Sequence, residues 1–373
     1  GEGAAAAGAA PRGASRGRGM VAEVMATGVR FLAGDIGGTN TRLLLFESTR
    51  DELRPNRECP GRLIASKQYV NREHPSLMEV VRLFLGEFGG LDPPPRTACL
   101  AVAGPVNQNR VVFTNRPTWN MAGGDMMEKL GIERVQLVND FLANGYGLLT
   151  LDHDTDCLCI QPAEATPGAP IVCIGAGTGL GECFLTVGPD GEYTCYPSEG
   201  GHSEFAPRNP VEFELLQALM EKFQEKHRVS VERVVSGTGL ANVYEFLEEK
   251  YPDEVDPAVS EAFHARDADK GFVVATNTSN SLCQRTMEVF SAAYGSEAGV
   301  ACLKWMPFGG LYLTGGLTPK NIQWIDCDIF RHAFKDKGRV KGLIDNVPVY
   351  AVMVEDLGQR GAKLFAYKML REL

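Results

Sequence analysis

Two stretches of the chain share one plan, and that plan restricts the fold more than any other feature. In the first, Val29-Arg30-Phe31-Leu32-Ala33 leads into Gly34-Asp35-Ile36-Gly37-Gly38-Thr39-Asn40 and then Thr41-Arg42-Leu43-Leu44-Leu45-Phe46. In the second, Pro170-Ile171-Val172-Cys173-Ile174 leads into Gly175-Ala176-Gly177-Thr178-Gly179-Leu180-Gly181 and then Glu182-Cys183-Phe184-Leu185-Thr186-Val187. Each reads as an apolar strand, a turn rich in Gly and Thr, and a second apolar strand. This weak internal repeat predicts a duplicated βββαβα-type domain with a cleft between the halves. A length of 373 residues and 44% hydrophobic content supply core enough for two domains.

Between and after the hairpins the periodicity alternates. Helical spacing is expected over Ser76 to Phe88, Asn209 to His227, Gly239 to Lys250, Asn277 to Met306 and Glu355 to Leu370. In the last of these, Gly358, Gly361 and Ala362 permit close packing. Buried-type strands are expected over Thr97 to Val102, Val135 to Val138 and Gly309 to Thr314. The polar, acidic stretch from Tyr251 to Lys270 reads as a surface excursion. The expected division is a disordered tail (1–27), a small α/β domain (28–150 plus 353–373) and a large α/β domain (151–352).

Bulk chemistry excludes several functions. A net charge of -10 does not suit a nucleic-acid surface, which needs a basic stripe. No apolar run reaches the roughly 20 residues of a membrane span. The ten cysteines include no C-x-x-C spacing, so they read as small buried hydrophobes in a reducing compartment, with Cys157 and Cys159 on one face of a strand. The first twenty residues are Ala, Gly and Arg with one acid, too polar and simple to order. Without an initiator Met, the chain reads as processed, truncated or a fragment, and Met20 is an alternative start. The tail is compatible with the remnant of an organelle transit peptide.

Five features carry chemistry. The 34–40 turn offers free N–H groups to phosphate oxygens, and its Asp35 can orient a magnesium ion through water; an ordinary hairpin is the bland alternative. The 175–181 turn offers the same service. It is not a dinucleotide fingerprint, because position 180 is Leu and a strand follows, and a Walker A loop would need G-K-[ST]. Asn139-Asp140 ends an apolar strand, where a carboxylate can accept a hydroxyl proton or simply cap a helix. Glu199-Gly200-Gly201-His202 sets an acid and an imidazole on a glycine turn, suited to vicinal hydroxyls or to a plain salt bridge. Glu232, taken alone, is a helix-surface charge.

The order DIGGTN, LVNDF, GAGTGLG, EGGH, ERVVSGTGL and LTGGLTP resembles the bacterial-type glucokinase family, within the actin-like sugar kinase superfamily. The resemblance runs from about Phe31 to the C-terminal helix. It implies an α/β fold of two actin-like (ribonuclease H-like) domains with a cleft between them. It implies that Asp140 is the base, that Asn139 helps hold the sugar, and that Glu199, His202 and Glu232 bind the other hydroxyls, with Asn115 in a sugar-side loop. Asp35, Gly37, Gly38 and Thr39 would form one phosphate loop, and Gly175, Gly177, Thr178 and Gly179 the other. Gly315, Gly316 and the Ser236-Gly237-Thr238 turn would line the adenosine pocket. ATP and Mg2+ are the implied cofactors, with no direct protein metal site, and glucose the implied partner. A homodimer is expected, in the cytoplasm, or in a plastid or similar organelle if the tail is a transit remnant. The cysteine-rich zinc loop of related repressor/open-reading-frame/kinase proteins is missing, so no zinc is expected. No helix-turn-helix segment precedes the kinase core, contrary to a repressor. A kinase for another hexose, a non-catalytic sugar sensor and an ATPase of the same fold stay open.

Overall fold

The structure, a computed structural model, describes residues 28–48, 59–89, 91–113 and 117–373. The expected disordered tail and Asn115 lie outside the described residues.

Strands β1 (Val29–Ile36) and β2 (Asn40–Ser48) pair antiparallel from Val29↔Ser48 to Ile36↔Thr41. The turn is therefore only Gly37-Gly38-Thr39, shorter than the expected 34–40. Gly34 belongs to the strand, paired with Leu43, and a Cβ there would lie 2.5 Å from the Leu100 side chain. Next come β3 (Arg62–Val70), α1 (Leu77–Glu87), β4 (Thr97–Val102) and three short strands, β5 (Val106–Asn107), β6 (Arg110–Val111) and β7 (Met121–Ala122). Then follow α2 (Gly123–Leu130), β8 (Arg134–Asn139) and α3 (Asp140–Leu148). The first sheet has the order β3-β2-β1-β4-β8, antiparallel across the hairpins and parallel for β1-β4-β8.

The second half opens with α4 (His153–Asp156) and β9 (Cys157–Gln161), followed by β10 (Ile171–Ala176), β11 (Leu180–Val187) and β12 (Tyr193–Ser198). Helices α5 (Pro210–Lys222), α6 (Gly237–Lys250), α7 (Pro257–His264), α8 (Lys270–Thr276) and α9 (Ser281–Trp305) come next. Then come β13 (Gly310–Thr314), α10 (Leu317–Lys320), α11 (Asp328–Lys335), α12 (Lys341–Ile344), β14 (Val349–Val352) and α13 (Leu357–Arg371). The sheet order β12-β11-β10-β13-β14-β9 repeats the first: an antiparallel meander, then parallel strands, with β9 added antiparallel. The duplication expected from the hairpins is thus present in both topology and register. Central strands β4, β10 and β13 are buried at every residue, as parallel strands covered on both faces must be.

The stretch from Tyr251 to Lys270 lies at the surface as expected, but it is ordered and anchored by Val259 and Phe263. It forms α7 and leads into α8, and Phe263 is fully buried, its ring 4.6 Å from that of Tyr244. Three of its six acids are structural. Asp256 and Asp269 cap α7 and α8, and Glu254 pairs with Arg285 at 3.0 Å. Among the cysteines, seven are buried, Cys157 and Cys327 are half-buried, and Cys159 is exposed.

Helix α13 returns from the second sheet to pack on α3, β1 and β4. The crossing is close because glycines stand at it: a Cβ on Gly361 would lie 1.7 Å from the Ala143 carbonyl oxygen, and one on Gly147 2.3 Å from that of Leu357. Around it a shared core gathers Phe31, Cys99, Tyr146, Cys183, Tyr312 and Tyr367 from both halves. Gly361→Ala should therefore cost about 3 kcal/mol in urea unfolding, because backbone on both helices has to move. Gly124→Ala, in α2 with nothing within 4 Å of the new methyl, should be neutral or stabilise by about 0.5–1 kcal/mol. Equal midpoints for the two variants would contradict the close crossing.

Candidate active site

Strand β8 delivers Asn139 and Asp140 to its C-terminal end, and the next residues turn directly into α3. Asn139 caps that helix, its Oδ1 accepting from Phe141 N–H at 2.8 Å, while its Nδ2 donates to the Gly104 carbonyl at 3.2 Å. The cap reading and the site reading of this pair are compatible. Asn139 is locked, and the lock aims Asp140 from the first helical turn. Asp140 Oδ1 accepts from Phe141 N–H at 3.0 Å.

Asp35, next to last in β1, faces the same space. Burial pushes the Asp140 carboxyl up to about 6, the Phe141 N–H opposes this, and the Asp35 charge adds to the rise. Asp35 is itself raised by burial, against the pull of Arg42 and a hydrogen bond from Gln359 of α13. Arg42 stands directly opposite Asp35 across the β1–β2 ladder. The Gly37-Gly38-Thr39 turn is held from below by Asn71, which donates through Nδ2 to the Gly37 carbonyl at 2.8 Å and through its N–H to the Thr39 carbonyl at 2.8 Å. Gly38 and Thr39 remain exposed. Asn71 escaped sequence reasoning, since a single polar residue after a strand carries no pattern.

The second hairpin, with Gly177-Thr178-Gly179 as its tip, gathers most of the other expected residues. Gly237 N–H donates to the Gly177 carbonyl at 2.7 Å, Thr238 Oγ1 to the Thr178 carbonyl at 3.3 Å, and Ser236 caps α6. Gly315, at φ +84°, packs where a Cβ would lie 2.3 Å from the Ala176 carbonyl oxygen, so only glycine fits there. Gly316 stays open, with nothing within 4 Å of a would-be Cβ. Glu232 Oε2 accepts from Leu180 N–H at 2.9 Å. Gly201 seats the Glu199–His202 turn on the Leu180 carbonyl, 2.0 Å from where a Cβ would be. Glu199 and His202 project outward, their side chains 82% and 56% exposed and 3.9 Å apart.

Phe141 ties this cluster to Asp140. Its ring rests on Gly175 and Gly181, where Cβ atoms would lie 2.9 and 2.1 Å from it. The structure thus brings Asp35, Asn139, Asp140, Glu232, Glu199, His202 and both glycine turns to one end of the two sheets. A crevice of about 1760 Å³ lies at the other end, lined by Leu148, Asp152, Gly309 and Arg360. It contains none of these residues. Among the described residues, no group of three or more His, Cys, Asp or Glu is arranged to hold a metal ion. No helix of the described residues is long and apolar enough to cross a membrane.

Two halves of one topology, each opening with a glycine hairpin, define an actin-like α/β fold. A family profile described as Glucokinase matches residues 32–369. The glucokinase of Synechocystis sp. is 38% identical over 356 residues, covering 91% of this chain and 99% of its own. A glucokinase structure from an Antarctic psychrotroph superposes with a TM-score of 0.74 at 26% identity, covering 91% of this chain and 99% of that one. The glucokinase of Balamuthia mandrillaris in complex with glucose gives 0.71 at 21% identity, with 93% and 96% covered. The chain belongs to the glucokinase family.

If Asp35 and Asp140 share one space, neutralising the first must ease ionisation of the second. In Asp35→Asn, carboxyl-detected NMR should find Asp140 titrating below its wild-type value of about 6. An unmoved titration would separate the two acids.

Proposed function

We propose that this chain transfers the γ-phosphoryl group of MgATP to the 6-hydroxyl of glucose, with Asp140 as the base that accepts the hydroxyl proton. The observation that carries the reading is Asp140 itself. It is a carboxylate beside the Asn139 cap, raised to about 6 and followed directly by Phe141, whose ring rests on the second glycine hairpin. A base with that value is ionised at pH 7 yet near enough to neutrality to take and release a proton. In this reading glucose lies against Asn139, Asp140, Glu199, His202 and Glu232, with Asn115 near it. The Gly37-Gly38-Thr39 and Gly177-Thr178-Gly179 turns, with Gly38, Thr39 and Thr178 exposed, hold phosphates. Ser236, Gly237, Gly315 and Gly316 border the adenosine.

Magnesium bound with the nucleotide would neutralise charge on the phosphate oxygens. Asp35 fits a place beside it, as an acid whose burial already opposes ionisation and which a cation would favour. Lobes comprising 28–150 with 353–373 and 151–352 would close on the sugar and exclude water from the transfer.

Coupled ADP-release assays across a hexose panel test this directly. Glucose should give the highest kcat/KM, and ATP turnover without sugar should be negligible. Asp140→Asn should lower kcat by about 10²–10⁴-fold while leaving the unfolding midpoint nearly unchanged. The wild-type rate should fall as pH drops through about 6, where Asp140 becomes protonated. A preferred hexose other than glucose would replace the substrate. Near-normal turnover in Asp140→Asn would remove the base.

A further inference from the structure

Glu182 has no role in the site so far, and its surroundings are chemically anomalous. It is the third residue of β11, standing opposite Ile174 on one side and Ser198 on the other. Ser198 immediately precedes the Glu199–His202 turn. Glu182 is 4% exposed and lies so close beneath that turn that a Cβ on Gly200 would be 1.9 Å from its Oε2. A buried carboxylate ordinarily has donors or a cation to compensate its lost hydration. Glu182 Oε1 is buried with no hydrogen-bond partner.

Its principal charged neighbour is a second acid. Glu297 of α9 is 6% exposed, and its Oε1 is also unpartnered. Glu297 lines a pocket of about 280 Å³ together with Ser203, Phe205 and Lys304. Lys304 acts on both acids from an exposed position, and Lys337 acts on Glu297. Tyr294 of α9 also faces Glu182, and Glu199, His202 and Glu232 stand on the turn side. Two apolar residues would fill these positions with no penalty of desolvation. The acids therefore act through Glu182's contact with the turn.

We propose that Glu182, backed by Glu297, is a positioning residue that props the Glu199–His202 turn through Gly200 and so sets the sugar-binding edge of the cleft. This deepens the glucose reading above and rests on it. Burial, reinforced by Glu297 and eased by Lys304, raises the Glu182 carboxyl to about 7. The prop is thus neutral below that pH and charged above it. Once charged it repels Glu297, and the turn loosens.

In the full chain, Glu182→Ala should raise the glucose KM about tenfold, with kcat at saturating glucose and the ATP KM changed less than about twofold. Glu182→Gln keeps the planar group and stays neutral, so it should rescue the glucose KM. The wild-type glucose KM should rise as pH passes upward through about 7, and this rise should vanish in Glu182→Gln. An unchanged glucose KM in Glu182→Ala, or an undiminished pH rise in Glu182→Gln, would overturn the proposal. Hydrogen exchange without sugar gives a second reading. Ser203 N–H, which donates to the Gly200 carbonyl at 2.9 Å, should exchange at least about fivefold faster in Glu182→Ala. Unchanged exchange also overturns the prop. Faster exchange in a chain with no glucose-dependent ADP release would instead sink the glucose reading and leave the prop standing.

Discussion

The site is built around one contact, the Phe141 ring seated on a pair of glycines. Gly175 and Gly181 stand opposite each other across β10 and β11 and leave a flat patch on the second sheet. Phe141 fills that patch from the first turn of α3, the residue after Asp140. Burying such a ring contributes about 2–3 kcal/mol, but its larger consequence is geometric. Leu180, beside Gly181, bonds Glu232 and carries Gly201. Ala176, beside Gly175, carries Gly315, and Gly177 bonds Gly237. Each of these groups is therefore measured from the ring that also places the carboxylate. A side chain at 181 would lift α3 away, and displacements near 1 Å cost about 10²-fold in rate.

A second constraint, the α3–α13 crossing, works from the other side of the same helix. Gly145 makes room for the Cys183 and Cys195 sulfurs, and Gly147 and Gly361 let the two helices touch through their backbones. The chain's last helix is thereby drawn back to the first strand, and its first turn delivers Gln359 to Asp35. The acid opposite Asp140 is tuned by a residue more than three hundred positions away in sequence. Nothing local in β1 foretells that partner.

What was legible in the sequence follows from this arrangement. The hairpins repeat in sequence because they repeat in topology, and alternation with glycine punctuation is a local signal. Asn139-Asp140 was legible as well, since a strand that ends in two capping residues has few places to go. The breadth of the turns was not. Gly34, Gly175 and Gly181 are strand residues that yield space to Leu100, Thr314 and Phe141, and composition cannot separate a packing glycine from a turning one. The 251–270 stretch was legible as surface, but its helices were not, for a related reason. Three of its acids cap helices or pair with a basic side chain while Phe263 anchors the segment, and a count of charges cannot see a single buried ring. Asn71 and Glu182 were invisible because their meaning lies wholly in what folds over them.

Four acids near the cleft, Asp35, Asp140, Glu182 and Glu297, are held above the ordinary carboxylate range, each chiefly by burial. A raised folded value means that the folded chain binds the proton more readily than the unfolded one. The stability linked to each is therefore complete below its unfolded value, near 4, and is lost as pH rises through its folded value. For Asp140 and Glu182 that loss spans about 4 to 6 and about 4 to 7. Above those values the fold carries charged, desolvated groups at a thermodynamic disadvantage, and does so on the two hairpins, on α3 between them and on α9. The glycine notch and the glycine crossing are what make this tolerable. They fix α3 and the strand ends, so repulsion among the acids is left to act on protonation and on the Glu199–His202 turn above Glu182.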